Sequence, residues 1–487
     1  MTDWIARLFE PDRDAAANRL LTMSMVALYV AGLIGWAYVL GWGAVPLDFH
    51  DWTGINLPRL LFVQDSLRAG AWPLHMTGGP ALHDVTDRFL ALPDVITSPQ
   101  TLLLLFMPVQ TFVLADVLIQ YSLGFCGLVL LRRYLQWSPY AFALVFVLFV
   151  FNGHILSHYS VGHFTWGPYF LFSFVVLFVL RFLDGDRSVR LLAWFALVMA
   201  YTVLAGGQHH MTWVLILLAL LVPFCWRHAW WLVGAALASG LLSAVRLLPP
   251  ALELSAFRQA GLVADAIGFP SLAHMVIALT MLRREFSSFN IALPGNMWFF
   301  DNAFFEFNAF IGVAGLALVV LGLFVWLRNG TPRYPQLVVP VFVMIALSLG
   351  STYRLVRLTG LPMLDGERYT ARMFVLPLLI LIVIAATSLD RVLRRSSIAA
   401  WHRVVAMLAL GYATLDIAAS VRLWRVAVSS GLFKAAPFDP RIVERIDRAD
   451  PPYVTAILAG LVITGVTAIV LLWLAARAPA RQRLHTE

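Results

Sequence analysis

Apolar residues in this chain come in long unbroken runs, not in the one-sided stripe of a soluble helix or the alternation of a strand. A membrane-crossing helix needs about 20 mostly apolar residues. About twelve stretches approach or meet that length, near 19–45, 101–131, 139–152, 168–181, 191–206, 211–226, 229–247, 308–327, 335–350, 373–389, 402–421 and 453–476. The third and fourth are short, and Pro108 makes 101–108 a candidate helix of its own, so the range is ten to thirteen. The pattern predicts an all-α polytopic membrane protein.

The polar segments between these runs are of two kinds. One set is short and rich in Arg: Arg132–Arg133, Arg181/Arg187/Arg190, Arg328/Arg333, Arg391/Arg394/Arg395/Arg403 and Arg477/Arg481/Arg483. The other set is long: 46–100, 248–307, 351–372 and 422–452. Cytoplasmic loops carry the excess of Arg and Lys, so the short set, with both termini, is expected inside. The chain then divides into an N-terminal segment 1–18, a transmembrane module 19–247 that includes the outer loop 46–100, an outer loop 248–307, a second module 308–476 with outer loops 351–372 and 422–452, and a tail 477–487. Residues 1–18 are polar and the run after them is too long for a signal h-region, so no cleavable signal is expected.

Within the first long loop, Ile55 to Ala69 sets Leu57, Leu60, Leu61 and Leu67 against Asp65 and Arg68. This predicts an amphipathic helix lying in the membrane interface. Pro73, Gly78, Gly79 and Pro80 then turn the chain. Such a loop is either the roof of an active site or a packing cover.

Composition sharpens the class. The 487 residues are 60% hydrophobic and 13% charged, with mean hydropathy +0.80. Soluble domains are about half apolar and a quarter charged. A soluble enzyme, a disordered chain and a nucleic-acid binder are therefore excluded. The net charge of +8 rests almost wholly on Arg, with Lys434 the one Lys, and fits anchoring to anionic lipid heads. Cys126 and Cys225 fall in different apolar runs and are expected as core residues without a disulfide.

Acids are scarce, and about seventeen of the 27 fall on the expected outer face, among them Asp48 and Asp51 directly after the first run. Two carboxylates at the membrane surface suit a general base and a metal or substrate ligand, because partial burial raises a carboxyl pKa toward working pH. A solvated turn is the plainer alternative. Nine of the twelve histidines lie on or near the same face: His50, His75, His83, His154, His158, His163, His209, His210 and His274. His154 and His158 are spaced i, i+4, so a helix places them on one face. Gln208-His209-His210 follows the fifth run. These residues suit a divalent metal, a polar substrate cavity or helix capping. Asp116 and Asp416 lie inside apolar runs, where charge faces a cavity or a partner helix. In Asp365-Gly-Glu-Arg-Tyr-Thr-Ala-Arg-Met-Phe, Arg368 and Arg372 are again i, i+4. Arginines there suit bidentate contact with a lipid phosphate, or snorkel to ordinary lipid heads.

Several loose segments occur in one order over some 370 residues. They are the Asp-bearing start of the first loop, Arg68-Ala-Gly-Ala-Trp-Pro-Leu with Gly78-Gly79-Pro80, Phe151-Asn152-Gly153-His154 with Gly162-His163, Leu248-Pro249-Pro250-Ala-Leu-Glu253-Leu-Ser255-Ala-Phe-Arg258, Phe305-Glu306-Phe-Asn-Ala-Phe-Ile-Gly312, and Arg368-Tyr-Thr-Ala-Arg372. In this order they resemble the GT-C superfamily of integral-membrane glycosyltransferases. The nearest likeness is to a bacterial multi-span family implicated in glycosylating envelope polymers such as lipoteichoic acid. The resemblance implies a structured first outer loop with interfacial helices and a catalytic Asp near its start, for which Asp48 and Asp51 match. It implies a polyprenyl-phosphate-linked sugar donor, whose phosphate Arg368 and Arg372 would meet. On the residues themselves, and not from the family, His154, His158, His163, Gln208, His209, His210 and Glu253 are further candidate substrate-binding residues. It implies an acceptor in the cell envelope (glycan, lipid or protein) and a place in the bacterial cytoplasmic (inner) membrane. Some members use a divalent cation, Mg or Mn, for which Asp48, Asp51 and His50 are the candidates; others use none. Asp48 and Asp51 are three apart, not the adjacent acidic pair of the family. The competing classes are a transporter or lipid flippase working through Asp116 and Asp416, and a non-catalytic scaffold that keeps the fold.

Overall fold

The structure, a computed structural model, describes residues 8–9, 15–45, 47, 51–77, 86–254, 266–282, 304–328, 333–360, 364, 367–425 and 444–477. Among them the chain is helical throughout, with three isolated β-bridges in place of strands. In chain order the α-helices are α1 (Ala15–Val39), α2 (Leu57–Arg68), α3 (Val109–Leu135), α4 (Pro139–Val150), α5 (Gly153–Val161), α6 (Phe172–Leu183), α7 (Val189–Leu204), α8 (Gln208–Leu221), α9 (Ala229–Leu242), α10 (Ala244–Ala251), α11 (Leu272–Thr280), α12 (Gly312–Arg328), α13 (Val338–Leu347), α14 (Tyr353–Arg357), α15 (Val375–Leu393), α16 (Ala400–Leu423) and α17 (Pro451–Arg477).

Nine helical stretches among the described residues are long and apolar enough to cross a membrane. Pro139–Val161, Phe164–Leu183 and Thr370–Leu393 form the centre, buried almost all round. Arg19–Val39, Ala400–Leu423 and Pro451–Arg477 are peripheral and present apolar residues such as Leu408 and Leu472 outward. This is the arrangement of a bilayer protein, in which lipid tails replace water around the rim. Small residues let helices approach closely. A Cβ on Gly322 of α12 would lie 2.5 Å from the Ala385 carbonyl oxygen of α15.

The run 101–131 divides at Pro108, as the sequence allows: Pro99–Leu105 is a separate 3₁₀ segment, and α3 starts only after Pro108, which cannot donate into a helix. Two other places differ from the sequence expectation, each for a local reason. The runs at 211–226 and 229–247 form one stretch, Gln208–Leu242, bent at Val222–His228, where Cys225 leaves helical dihedrals. The interfacial helix forms as α2, but it buries a mixed face. Arg59 reaches Asp94 at 2.7 Å, and Gln64 donates to the carbonyls of Leu104 and Met107 at 2.9 and 2.8 Å. Open loop carbonyls need donors, and this outweighs the leucine stripe, whose Leu57, Leu61 and Leu67 are only half-buried. Cys126 is exposed, not a core residue, and both cysteines are free thiols.

The loop-rich end is clasped by charge. Arg88 donates to Asp450 at 2.7 and 2.9 Å and to Glu253 at 2.6 Å, while Arg448 forks onto Asp87. His75 also meets Asp450 at 3.3 Å, and Thr77 N–H donates to the Glu444 carbonyl. Arg246 of α10 is buried and serves the carbonyls of Leu90, Leu92 and Val95. The first long loop is thus tied to the segment before α17. The Arg88 hydrogen bonds hold the Asp450 carboxyl down at about 2, against an ordinary 3.8. A depressed carboxylate pKa stabilises the fold above the unfolded value and loses that contribution as pH falls through the folded value. In thermal unfolding of detergent-solubilised protein, wild type should therefore melt above D450N near pH ~6, and the gap should close between about pH 4 and 2. A gap independent of pH would refute this role.

Candidate functional site

Residues 152–166 build the centre of the site. Asn152 caps α5, its side chain accepting the His154 N–H at 2.9 Å, and the Gly153 N–H donates to the Phe310 carbonyl at 2.9 Å. The expected i, i+4 pair is present, with the rings of His154 and His158 4.3 Å apart. Gly162 then ends the helix at φ +97°, a left-handed conformation that favours glycine. The turn folds His163 back onto its own helix. The Nδ1 atoms of His158 and His163 lie 2.6 Å apart, and His163 Nε2 lies 3.0 Å from Asp51 Oδ2. Each contact needs one proton. Neutral tautomers satisfy both: His158 Nδ1–H donates to His163 Nδ1, and His163 Nε2–H donates to Asp51.

Asp51 is positioned by the same turn. It opens the helical segment Trp52–Asn56, which leads into α2. Trp52 Nε1 donates to the Tyr159 carbonyl at 3.1 Å, and Asn56 donates to the Gly162 carbonyl. A Cβ on Gly162 would sit 2.3 Å from the Trp52 backbone nitrogen. G162A should therefore displace the Asp51 segment and destabilise the protein by about 1–3 kcal/mol from the backbone strain alone. An unchanged unfolding temperature for G162A would refute this packing.

The rings continue as a stack. Trp166 lies on His158 at 4.2 Å and 14°, and His209 lies on Trp166 at 6.0 Å and 11°. His210 meets Trp166 edge-on at 5.0 Å. The Arg372 guanidinium stands over both Trp166 and Tyr369, at 5.1 and 5.0 Å, and forks onto the Glu306 carboxylate. Glu306 also lies 3.8 Å from His158 Nε2. A second carboxylate, Glu367, accepts from His209 Nδ1 at 2.7 Å and from Trp213 Nε1 at 3.1 Å, and its carbonyl accepts from Arg357. The Arg368 guanidinium also lies over the Tyr369 ring, at 5.2 Å. Burial, with the charges of Glu306 and Asp51 adding to it, raises the Tyr369 phenol above its ordinary value, so it stays a proton donor at neutral pH.

The floor of this assembly is the pair Glu306 and Glu367, 2% and 1% exposed, and its open side is Asp51 and His209, each with 27% of its side chain accessible. Asp51, His163, His158, Glu306 and Arg372 form one line of contacts. His154, His209, His210 and Arg368 border it. Gln208 sits at the start of α8 with its amide nitrogen turned to the Pro93 carbonyl at 2.9 Å, so it braces the helix end. Glu253 is elsewhere, in the clasp with Arg88. Asp48 and His50 lie outside the described residues. Among those described, no three His, Cys, Asp or Glu side chains converge as metal ligands. Asp116 accepts from Gln100 at 2.9 Å, and the same amide donates to the Tyr201 hydroxyl. Asp416 accepts the Val313 N–H at the start of α12.

Sequence reading did not single out Glu306, Glu367 or Trp166 as site residues. The usable signal for Glu306 was an acid set among Phe304, Phe305 and Phe307; Glu367 lies in a polar stretch, and its partners His209 and Trp213 arrive from far along the chain.

Beside the site, α8 and α9 line a half-open apolar cavity of about 530 Å³. It runs from Thr212 and Leu364 at the loop-rich end to Val222 and Leu232 toward the Arg-rich end, walled by Leu215 and Ala236. Thr212 lies one turn beyond His209, and Leu364 lies three residues before Glu367, so the mouth adjoins the polar assembly.

No family model matches this chain. No curated protein and no solved structure matches it either.

Proposed function

We propose that this protein is a GT-C-type glycosyltransferase that takes a sugar from a polyprenyl-phosphate-linked donor and passes it to an envelope acceptor at the outer face of a bacterial inner membrane. The observation that carries the reading is a carboxylate–imidazole line ending on a largely buried Arg, set beside an apolar cavity between helices. A lipid-linked donor needs that combination. Its chain requires an apolar groove, its phosphate a cation at headgroup depth, and its acceptor a base facing the polar side.

The reading assigns twelve crossings: the nine long stretches, with Gln208–Leu242 counted as two because of its bend, and the shorter apolar helices Val189–Leu204 and Pro335–Leu347. The Arg-rich end is then cytoplasmic. In the transfer, Asp51 removes the acceptor proton, and His163 with His158 holds the carboxylate in place. Arg368 and Arg372 stabilise the charge developing on the departing phosphate, fixed in direction by Tyr369 and Trp166. Fixed donors aimed at that charge supply the stabilisation that a cation gives in other transferases.

The test is transfer by purified protein from polyprenyl-phosphate sugars of long and short chain. A236F, which narrows the cavity, should raise KM about tenfold for the long-chain donor and leave the short-chain donor within about twofold, from the lost burial of a few methylenes. Absence of transfer from every such donor, together with ion-coupled uptake into liposomes, would replace this reading with a transporter.

A further inference from the structure

The Arg-rich end carries a second cavity, this one with a polar lining. It lies about 20 Å from the imidazole–carboxylate assembly, the length of α8 at 1.5 Å per residue. It encloses about 180 Å³ where Val222–His228 bends α8 into α9, against the end of α6 and Gln336. Arg187, Arg227 and His228 line it together with Phe182, Phe224 and Trp226, and among the described residues no carboxylate does.

The nearby acids are engaged with other groups. Asp184 takes Arg333 at 2.7 Å and Tyr334 at 2.8 Å, and Asp186 takes Arg181 at 2.6 Å and the Ser188 N–H. The Arg187 guanidinium lies over Phe182 at 5.6 Å and that of Arg227 over Trp226 at 5.7 Å. Stacking on a ring face leaves the N–H edge for an acceptor. Arg187 Nε is buried and has no hydrogen-bond partner among the described residues.

The size and rim narrow the ligand. Whole small-molecule ligands fill about 300–1,000 Å³, so this cavity fits a single polar group. Its border is aromatic and outward-facing, with Trp226 69% and Phe224 44% exposed. Aromatic residues of this kind mark the membrane–water boundary. Basic pockets between membrane helices on that side take anionic headgroups. We propose that this cavity binds the phosphate headgroup of an anionic phospholipid that enters sideways from the bilayer, bracing the bend between α8 and α9.

Cys225 lies in the cavity wall and Cys126 is the one other cysteine. In full-length C126S protein in neutral detergent, maleimide labelling of Cys225 reads occupancy. Phosphatidylglycerol should slow labelling and phosphatidylcholine should not. Each juxtamembrane cation contributes about fivefold in affinity. R227Q should therefore raise the half-protecting concentration about fivefold, and R187Q/R227Q about thirty-fold. Arg227 is exposed, so R227Q gives the answer even if the double variant fails to fold. Equal protection by phosphatidylcholine, or unchanged protection in R227Q, would overturn the proposal. Protection by inorganic phosphate at the same concentration as the lipid would overturn the lipid source and assign the cavity to a soluble anion.

Discussion

Asp51→Asn is expected to cut sugar transfer by about 10²–10⁴-fold, the usual worth of a positioned general base. The fold should survive. Asn has nearly the same shape, keeps an oxygen for the His163 Nε2–H at 3.0 Å, and replaces a side chain that is 27% accessible. The loss should appear in kcat, with the donor KM nearly unchanged, because Asp51 meets the acceptor side and not the lipid chain. H163Q should fall between wild type and D51N, since it removes the orienting partner and leaves the carboxylate. Asp48 is the control for the assignment. If D48N loses the activity and D51N keeps it, the base is Asp48 and Asp51 is a positioning residue. Full activity in D48N, D51N and the double variant would sink a carboxylate base in this loop.

Much of the architecture was legible because a bilayer forces backbone groups to bond within their own helix. Long apolar runs therefore map directly onto helices such as α12, α15 and α17. Legibility failed where tertiary demand overrides local pattern. Nothing near Arg59 or Gln64 in sequence signals that Asp94 or the Leu104 carbonyl will need them. The same holds in the site. The His154/His158 pair is short-range and could be read from its spacing. The fold-back of His163 depends on the Gly162 turn, and the Glu306–Arg372 and His209–Glu367 pairs join residues 66 and 158 positions apart. No periodicity carries information over that distance. Arg372 was legible as a cation on an unexpected face, but its partner was not. Glu253 lies in a suggestive segment, and the structure places it in the clasp with Arg88, away from this assembly.

The second large effect is expected at that long-range pair. Glu306 is 2% exposed and Arg372 12%, and the two meet in a fork that also touches His158 and Trp166. Removing one partner of a buried pair strands the other charge and costs about 3–5 kcal/mol. E306Q should therefore lower stability by about that amount and also release Arg372 from its position, so that transfer falls with it. E306Q/R372Q should be less destabilised than the sum of E306Q and R372Q, because no charge is left unpaired; a coupling of about 0.5–3 kcal/mol is the expected range. R372K separates the two roles. It keeps a charge for Glu306, so most of the stability remains. It loses the planar fork and the stacking on Trp166 and Tyr369 that aim the cation at a phosphate, so transfer should fall about 10²-fold or more. The measurements are reversible unfolding in mixed micelles and transfer kinetics on the same preparations. Strict additivity of E306Q and R372Q would show that the pair is not one unit. Wild-type kcat in R372K would remove Arg372 from phosphate stabilisation and leave it only as the partner that keeps Glu306 buried.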